Sequence, residues 1–565
     1  MALDLTAEQK QLGQANFHSA TDDLSRRGFM KSVVAGAAVV PVAAAVYFGY
    51  ESVQGKPVKA ALVGCGDEGG VLLGEHNPDY MKFIAACDIR PSNRKRIVEG
   101  DPKVALRKGF KKIYGDDYSK DIDQKHFYTD FRTMLEKEKD IEVVVIALPL
   151  HLHADVAIAC MEAGKHVLCE KLMARSISDC RRMIDVAKKT KRILSIGHQR
   201  HYSMLYAQST EMLNSGVIGD IKHIRALWHR NFSWKWEAEA GQELAMGVQQ
   251  PYYRDGWTGP ILKNDYDELK DKLKRDKNLA KQLEPFDYDD IYELIRWRLY
   301  ERTGGGLMAE LGSHQLDASS IFLGKVHPLA VQGVGTRSFF GGPNDKPFRN
   351  NREINDHVFV SFEFPGKNHP QGPHKGSDKS DVVVVTYSSI STNGFEQYGE
   401  CLMGSRGTLI VEGEQSAMLF KENEPGKKPA PPRSTTLSVQ TSGAGAPALA
   451  SGSTWGGAAP AASASAGIGG AGAPVAISRG YREEMEDFAY CVRRWDANQG
   501  YATEKKDGKD VYAQRLPRCH GEVAMADAIL ALTANQAMAL NERIEFKDEH
   551  FLANSTEVPG PKKRG

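Results

Sequence analysis

The sequence predicts an α/β protein: an N-terminal open parallel sheet with helices on both faces, followed by an α+β domain with a large open, mostly antiparallel sheet. Three observations carry this expectation. An apolar strand from Val58 to Val63 runs into Gly64-Cys65-Gly66-Asp67-Glu68-Gly69, a Gly-x-Gly-x-x-Gly turn. Strand and helix signals then alternate to about residue 175, with continuous apolar runs such as Val143-Val144-Val145-Ile146-Ala147, as strands buried on both faces require. After about residue 215 the texture changes. Ile221 to Trp228, Val331 to Gly335, His357 to Phe364, Asp381 to Ser388 and Gly407 to Val411 read as strands separated by turns.

In chain order, the first element is Ser25-Arg26-Arg27-Gly28-Phe29-Met30-Lys31 ahead of an apolar run from Ser32 to Tyr50. Paired arginines before a weakly hydrophobic stretch resemble a signal for the twin-arginine export machinery, which carries folded proteins. The apolar run is also long enough for an uncleaved membrane anchor, while Ala43-Ala44-Ala45 offers a cleavage site. Residues 1–56 are therefore expected to be signal or anchor plus linker, and the protein exported, periplasmic or tethered.

Residues 57–175 are expected to form a Rossmann domain binding NAD(P). Gly64 lets the chain turn off the strand, and Gly66 lets backbone approach a pyrophosphate. Gly69 lets the next helix pack on the sheet, its N-terminus facing the phosphates with partial positive charge, and Asp67 and Glu68 of the turn are candidate cofactor contacts. Asp88 ends the second strand about twenty residues on, where an acidic side chain receives the ribose hydroxyls. Asp88 would repel a 2′-phosphate and so favours NAD. Arg90, Ser92 and Arg94 could instead cradle that phosphate, leaving NADP open.

Residues 176–421 are expected to form the α+β substrate and oligomerisation domain, carrying a charged insertion at about 236–288 that is partly helical between Asp267 and Leu283. Residues 422–476 are rich in Pro, Ser, Gly and Ala and read as low-complexity and disordered. Helical spacing returns from 477 to 546, at Met485, Phe488, Ala489 and Val492 and again from about Gly521 to Asn541, ahead of a tail at 547–565.

Bulk composition removes some function classes. With 73 Lys plus Arg against 72 Asp plus Glu, no global field draws the 565-residue chain to nucleic acid, and no basic stripe with interleaved aromatics appears. The 8 cysteines include no Cys-x-x-Cys pair and read as small core residues.

Chemistry is expected at the carboxyl ends of the parallel strands. Glu170-Lys171 directly follows the strand His166 to Cys169, which places Lys171 at the nicotinamide end of the crevice, suited to proton transfer. Gln199 and Arg200 follow another strand and are candidate cofactor or substrate contacts. On a helix, Glu310 and His314 of Gly304 to Asp317 would share one face, with Asp317 three residues on. A carboxylate beside an imidazole can orient it or share a proton relay. The same pair could bind a divalent ion, but no third ligand has convincing spacing, so no metal is assigned. Trp228, His229, Trp234, Trp236 and Trp257 could stack on sugar faces or simply pack.

Taken together, these motifs resemble the glucose–fructose oxidoreductase / inositol dehydrogenase (Gfo/Idh/MocA) family, especially its exported members. The matching elements are Gly64 to Gly69, Asp88, Leu148-Pro149-Leu150-His151-Leu152-His153, Gly164 to Lys171, Gly197-His198-Gln199-Arg200, Gly304 to Asp317 and Gly404 to Leu409, in order. The resemblance implies reversible hydride transfer between NAD(P) and a secondary alcohol of a sugar or polyol, in a homo-oligomer. It makes His314 the proton acceptor, Lys171 the group that polarises the same oxygen, and Glu310 the group that positions histidine or substrate. It further implies cofactor contacts from Leu148, Pro149, His153, Glu170 and Gln199, and substrate contacts from Lys171, Arg200, His314 and Asp317. Leu172 stands where the family has proline, Glu310 where it more often has aspartate, and Leu148 and Leu150 where threonine and a polar residue are commoner. Two other readings stay open: an NAD-dependent glycosidase that oxidises, eliminates and returns the hydride, and a non-catalytic cofactor-binding scaffold.

Overall fold

The computed structural model describes residues 5–24, 44–45, 47–51, 55–233, 243–245, 255–257, 261–275, 277, 291–340, 351–422, 478–506 and 508–561. The arginine pair, most of the apolar run after it, Trp234 and Trp236, most of the charged insertion and the low-complexity segment lie outside these residues.

The first sheet contains β1 (Val58–Val63), β2 (Met81–Cys87), β3 (Phe127–Tyr128), β4 (Val143–Ile146), β5 (His166–Glu170) and β6 (Leu194–Gly197), in the order β3-β2-β1-β4-β5-β6. Every pairing is parallel. The strand order reverses between β1 and β4, which opens a crevice above their carboxyl ends. β4 and β5 are buried along their whole length, which accounts for their uninterrupted apolar sequence. The domain does not close at 175, because β6 completes the sheet nearly twenty residues later.

The second sheet contains β7 (Ile221–His229), β8 (Ala330–Thr336), β9 (His357–Pro365), β10 (Val382–Ile390), β11 (Tyr398–Gly404), β12 (Gly407–Glu412), β13 (Ser416–Lys421) and, after the hairpin β14 (Thr503–Lys506) and β15 (Lys509–Tyr512), β16 (Ile544–Glu545). Its order is β13-β12-β11-β7-β10-β9-β8-β16, antiparallel except for the parallel pair β7–β10. One face packs on helices, including Ser313–Phe322. The other exposes Val334, Phe359, Val384 and Met403. β11 escaped the sequence reading because Glu400 occupies a core position there and interrupts the apolar alternation.

Both C-terminal helices pack on this framework. Tyr481–Arg494 lays Met485, Phe488, Ala489 and Val492 into one core with Val58, Ala60 and Leu62 of β1. Gly521–Leu540, long and apolar enough to cross a membrane, is wedged against the helix Ile177–Thr190 and β8. Part of the expected leader also belongs to the fold. The helix Ala7–Leu24 covers β13, burying Phe17 and bonding Asn16 Nδ2 to Leu419 O at 3.1 Å, and Tyr50 reaches Glu486 at 2.9 Å. All eight cysteines are buried and free.

Candidate active site

The site begins at the glycine turn. Gly64 has φ +94°, and a Cβ there would lie 2.2 Å from the oxygen of Ala147, just past the end of β4. A Cβ on Gly69 would lie 2.0 Å from the oxygen of Gly64, so this helix closes on the turn only without a side chain. A Cβ on Gly66 would meet nothing nearer than Asn93 Nδ2 at 3.9 Å. The backbone of the turn is therefore open at the position where a pyrophosphate approaches.

Asp67 turns away from this opening. Its carboxylate meets Arg96 at 2.8 Å and Arg107 at 3.2 Å, and these guanidiniums outweigh burial and hold its pKa below the ordinary carboxylate value. Asp88 accepts from the Cys65 amide at 2.7 Å, Asn93 Nδ2 at 3.0 Å and the Arg90 amide at 2.8 Å. Its Oδ1 takes only the Arg90 bond and keeps acceptor capacity for a ribose hydroxyl. The expected phosphate cradle is filled. Arg90 and Ser92 both bind the buried Asp265, which comes from the insertion, and Arg94 binds Asp123. Asp265 thus occupies the donors that a 2′-phosphate would need. This geometry suits NAD and corrects the alternative role given to Arg90.

At the other end of the crevice, His153 bonds the oxygens of Leu172 at 2.9 Å and Leu148 at 2.8 Å. It clasps the loops after β4 and β5, and Pro149 lies in the first of them. Its ring nitrogens therefore face backbone rather than cofactor. The Lys171–Leu172 peptide is cis, although leucine stands in the usual proline position. Glu170 accepts from the Lys171 amide at 3.1 Å, and its other oxygen has no hydrogen-bond partner among the described residues. Burial raises the pKa of Glu68, Glu170 and Glu484, and the charges of Glu170 and Glu68 add to the effect at Glu484. Gln199 is buried and reaches the Tyr481 hydroxyl at 3.4 Å.

Opposite Lys171 stands the segment carrying Glu310 and His314. It is not a regular α-helix throughout: Met308–Gly312 forms a π-helical turn before the helix Ser313–Phe322. The wider turn alters the i, i+4 stacking expected of an α-helix. Glu310 Oε2 binds Arg298 Nε at 3.2 Å rather than His314. The Glu310 backbone oxygen accepts from Lys171 Nζ at 2.9 Å, which ties the end of β5 to the turn bearing His314. The His314 ring packs 5.4 Å from Trp228. Burial first, then the charges of Lys171 and Arg200, push its pKa well below 6.5, so the imidazole is neutral at neutral pH.

Two expected substrate contacts lie behind this surface. Arg200 is 1% exposed and is held by Glu414 and Glu400, donating to His314 O at 2.6 Å. Asp317 is fully buried and binds His201 at 2.8 Å and Lys325 at 2.7 Å. Both brace the helix rather than face the crevice. The ligand atoms of His198, Asp317 and Asp527 lie within 4.8 Å of one another, but Lys325 Nζ bridges both carboxylates and supplies the positive charge there. Sequence spacing gave no signal for Arg298 or Asp265, which meet Glu310 and Arg90 from other elements.

Comparison with known proteins bears out the NAD-binding fold. Residues 58–198 match the Gfo/Idh/MocA family model, described as an oxidoreductase family with an NAD-binding Rossmann fold. Inositol 2-dehydrogenase of Salmonella typhimurium is 32% identical over 165 residues, covering 29% of this chain and 43% of that protein. Glycosyl hydrolase family 109 protein 2 of Phocaeicola vulgatus is 26% identical over 167 residues, covering 29% and 37%. The chain thus spans less than half the length of these curated relatives. The crystal structure of an inositol dehydrogenase homolog complexed with NAD+ from Azotobacter vinelandii shares the fold, with a TM-score of 0.50 at 15% identity over 87% of this chain and 98% of that one.

Proposed function

We propose that this chain, whose N-terminal domain has the NAD-binding Rossmann fold of the Gfo/Idh/MocA oxidoreductases, oxidises a secondary alcohol of a sugar or polyol with NAD. The observation that carries the reading is the 2.9 Å bond from Lys171 to the Glu310 backbone, because it brings an ammonium and the neutral His314 to one side of the crevice. The open face at Gly66, the close packing at Gly64 and Gly69 and the spare acceptor on Asp88 fit the dinucleotide. The nicotinamide, when bound, supplies the hydride acceptor.

His314 takes the hydroxyl proton as the C–H bond breaks, since its depressed pKa keeps a lone pair available. Lys171 donates a hydrogen bond to the same oxygen and stabilises charge developing there. Glu310 acts through its backbone on Lys171 and through its carboxylate on Arg298.

Similarity to a glycosyl hydrolase of family 109 supports a second reading, oxidation followed by elimination of an aglycone and return of the hydride. Export by the twin-arginine route rests on Arg26-Arg27, and a homo-oligomer is supported by the exposed apolar face of the second sheet. The test is addition of inositols and aldoses to natively purified protein. Reduced nicotinamide should form, and Lys171→Ala and His314→Ala should abolish it. Release from aryl glycosides without net reduction would favour the second reading. No response to any sugar would leave the non-catalytic scaffold.

A further inference from the structure

Arg230 follows β7 directly and is only 8% exposed. Its Nη2 is sealed from water and has no hydrogen-bond partner, and among the described residues no carboxylate forms an ion pair with its guanidinium. Three other buried guanidiniums are neutralised: Arg200 by Glu414 and Glu400, Arg107 by Asp67 and Asp101, Arg352 by Asp255. The aromatic rings around Arg230 do not replace an anion. Trp228 lies 4.9 Å and Phe232 6.0 Å from it, and ring faces attract the cation but accept no N–H in its plane. Burial pulls its pKa down to about 10, the charge of Arg479 adds to this, and the more distant Glu310 carboxylate offsets it only in part.

The Trp228 indole that Arg230 covers is the one packed 5.4 Å from His314. The unpaired guanidinium and the proton acceptor therefore border the same ring. A buried guanidinium fork fits a carboxylate in geometry and charge. A phosphate dianion would need a second cation, but the neighbouring Arg200 and Arg479 are both committed to Glu414.

We infer that Arg230 receives the carboxylate of the substrate, and that the site takes sugar acids, uronic or aldonic, in preference to neutral sugars. The inference rests on the oxidoreductase reading for its catalytic arm and on Arg230 alone for its binding arm.

The experiment compares matched pairs on the purified full chain with its bound cofactor: glucose with glucuronate, galactose with galacturonate, and glycerol with glycerate, at constant ionic strength. Cofactor reduction and calorimetric affinity are both read. The acid of at least one pair should exceed its neutral partner by about 10- to 100-fold in kcat/KM and in affinity. Arg230→Gln should erase that ratio, and Arg230→Lys should keep part of it. Neutral members that bind and react as well as the acids overturn the inference while leaving the oxidoreductase reading intact. Acid binding that depends on Arg230 without any reduction supports the inference and sinks the oxidoreductase reading. Failure of every acid to bind also overturns it. The wild-type comparison decides even if Arg230→Gln does not fold.

Discussion

Arg200 donates from Nη1 to the backbone oxygen of His314 at 2.6 Å, and the same guanidinium is clamped by Glu414 and Glu400. The His314 segment is thus held from beneath by a buried charge network. Removing one partner leaves unpaired buried charge. Arg200→Met should therefore cost about 3–5 kcal/mol in denaturant unfolding. It should also lower kcat in the surviving folded protein, since the His314 segment loses its anchor.

Lys171 and His314 should fail separately from cofactor binding. Lys171→Met and His314→Asn are each expected to lower the hydride-transfer rate by about 10²- to 10⁴-fold in single-turnover experiments. The affinity for NAD, read by fluorescence, should change little for His314→Asn. The double variant should be little worse than the poorer single one, because the two groups serve one proton transfer.

The pH profile follows from the direction of the His314 shift. Burial, Lys171 and Arg200 all disfavour the imidazolium, so the basic form persists as pH falls through 6.5. The acid limb of kcat/KM should therefore lie below pH 6.5, and the rate should be flat from there to neutrality. A limb at or above 6.5 would remove His314 as the base.

The donors that a 2′-phosphate would need are occupied by a residue outside the Rossmann domain. Asp265 occupies Arg90 and Ser92. Asp265→Ala should free these donors and strengthen NADP binding about tenfold, with NAD affinity moving far less. Competitive titration of the two nucleotides measures this.

The glycine turn tolerates no Cβ at its first position. Gly64→Ala meets both a left-handed φ of +94° and the Ala147 oxygen at 2.2 Å. A loss of about 2–4 kcal/mol in unfolding and of NAD binding is expected.

What the sequence made legible was whatever depends on local spacing. The turn from Gly64 to Gly69 pre-announced its own geometry, and Lys171 could be placed from the strand it follows. Helical periodicity at Met485, Phe488 and Val492 also survived folding. The failures share one cause, which is interaction between segments far apart in the chain. Arg200 and Asp317 looked like ligands because polar residues at strand and helix ends often are, yet Glu414 and Lys325 claim them from within the core. Arg90 looked free until Asp265 arrived from the insertion. Glu400 hid β11 by placing a carboxylate where the strand pattern calls for an apolar residue, a placement that Arg200 and the Tyr206 hydroxyl make tolerable. Arg230 gave no signal at all, since its significance lies in the partner it lacks.

The helix Tyr481–Arg494 shares a core with β1, the first strand of the parallel sheet. During synthesis, every strand of that sheet leaves the ribosome long before this helix exists. The nascent domain must then wait with an apolar flank bare, exposed to wrong partners and needing a chaperone's cover, until nearly the whole chain has been made. A C-terminal truncation would therefore be felt first in the N-terminal domain, and a frameshift late in the coding sequence should read as a failure to hold NAD.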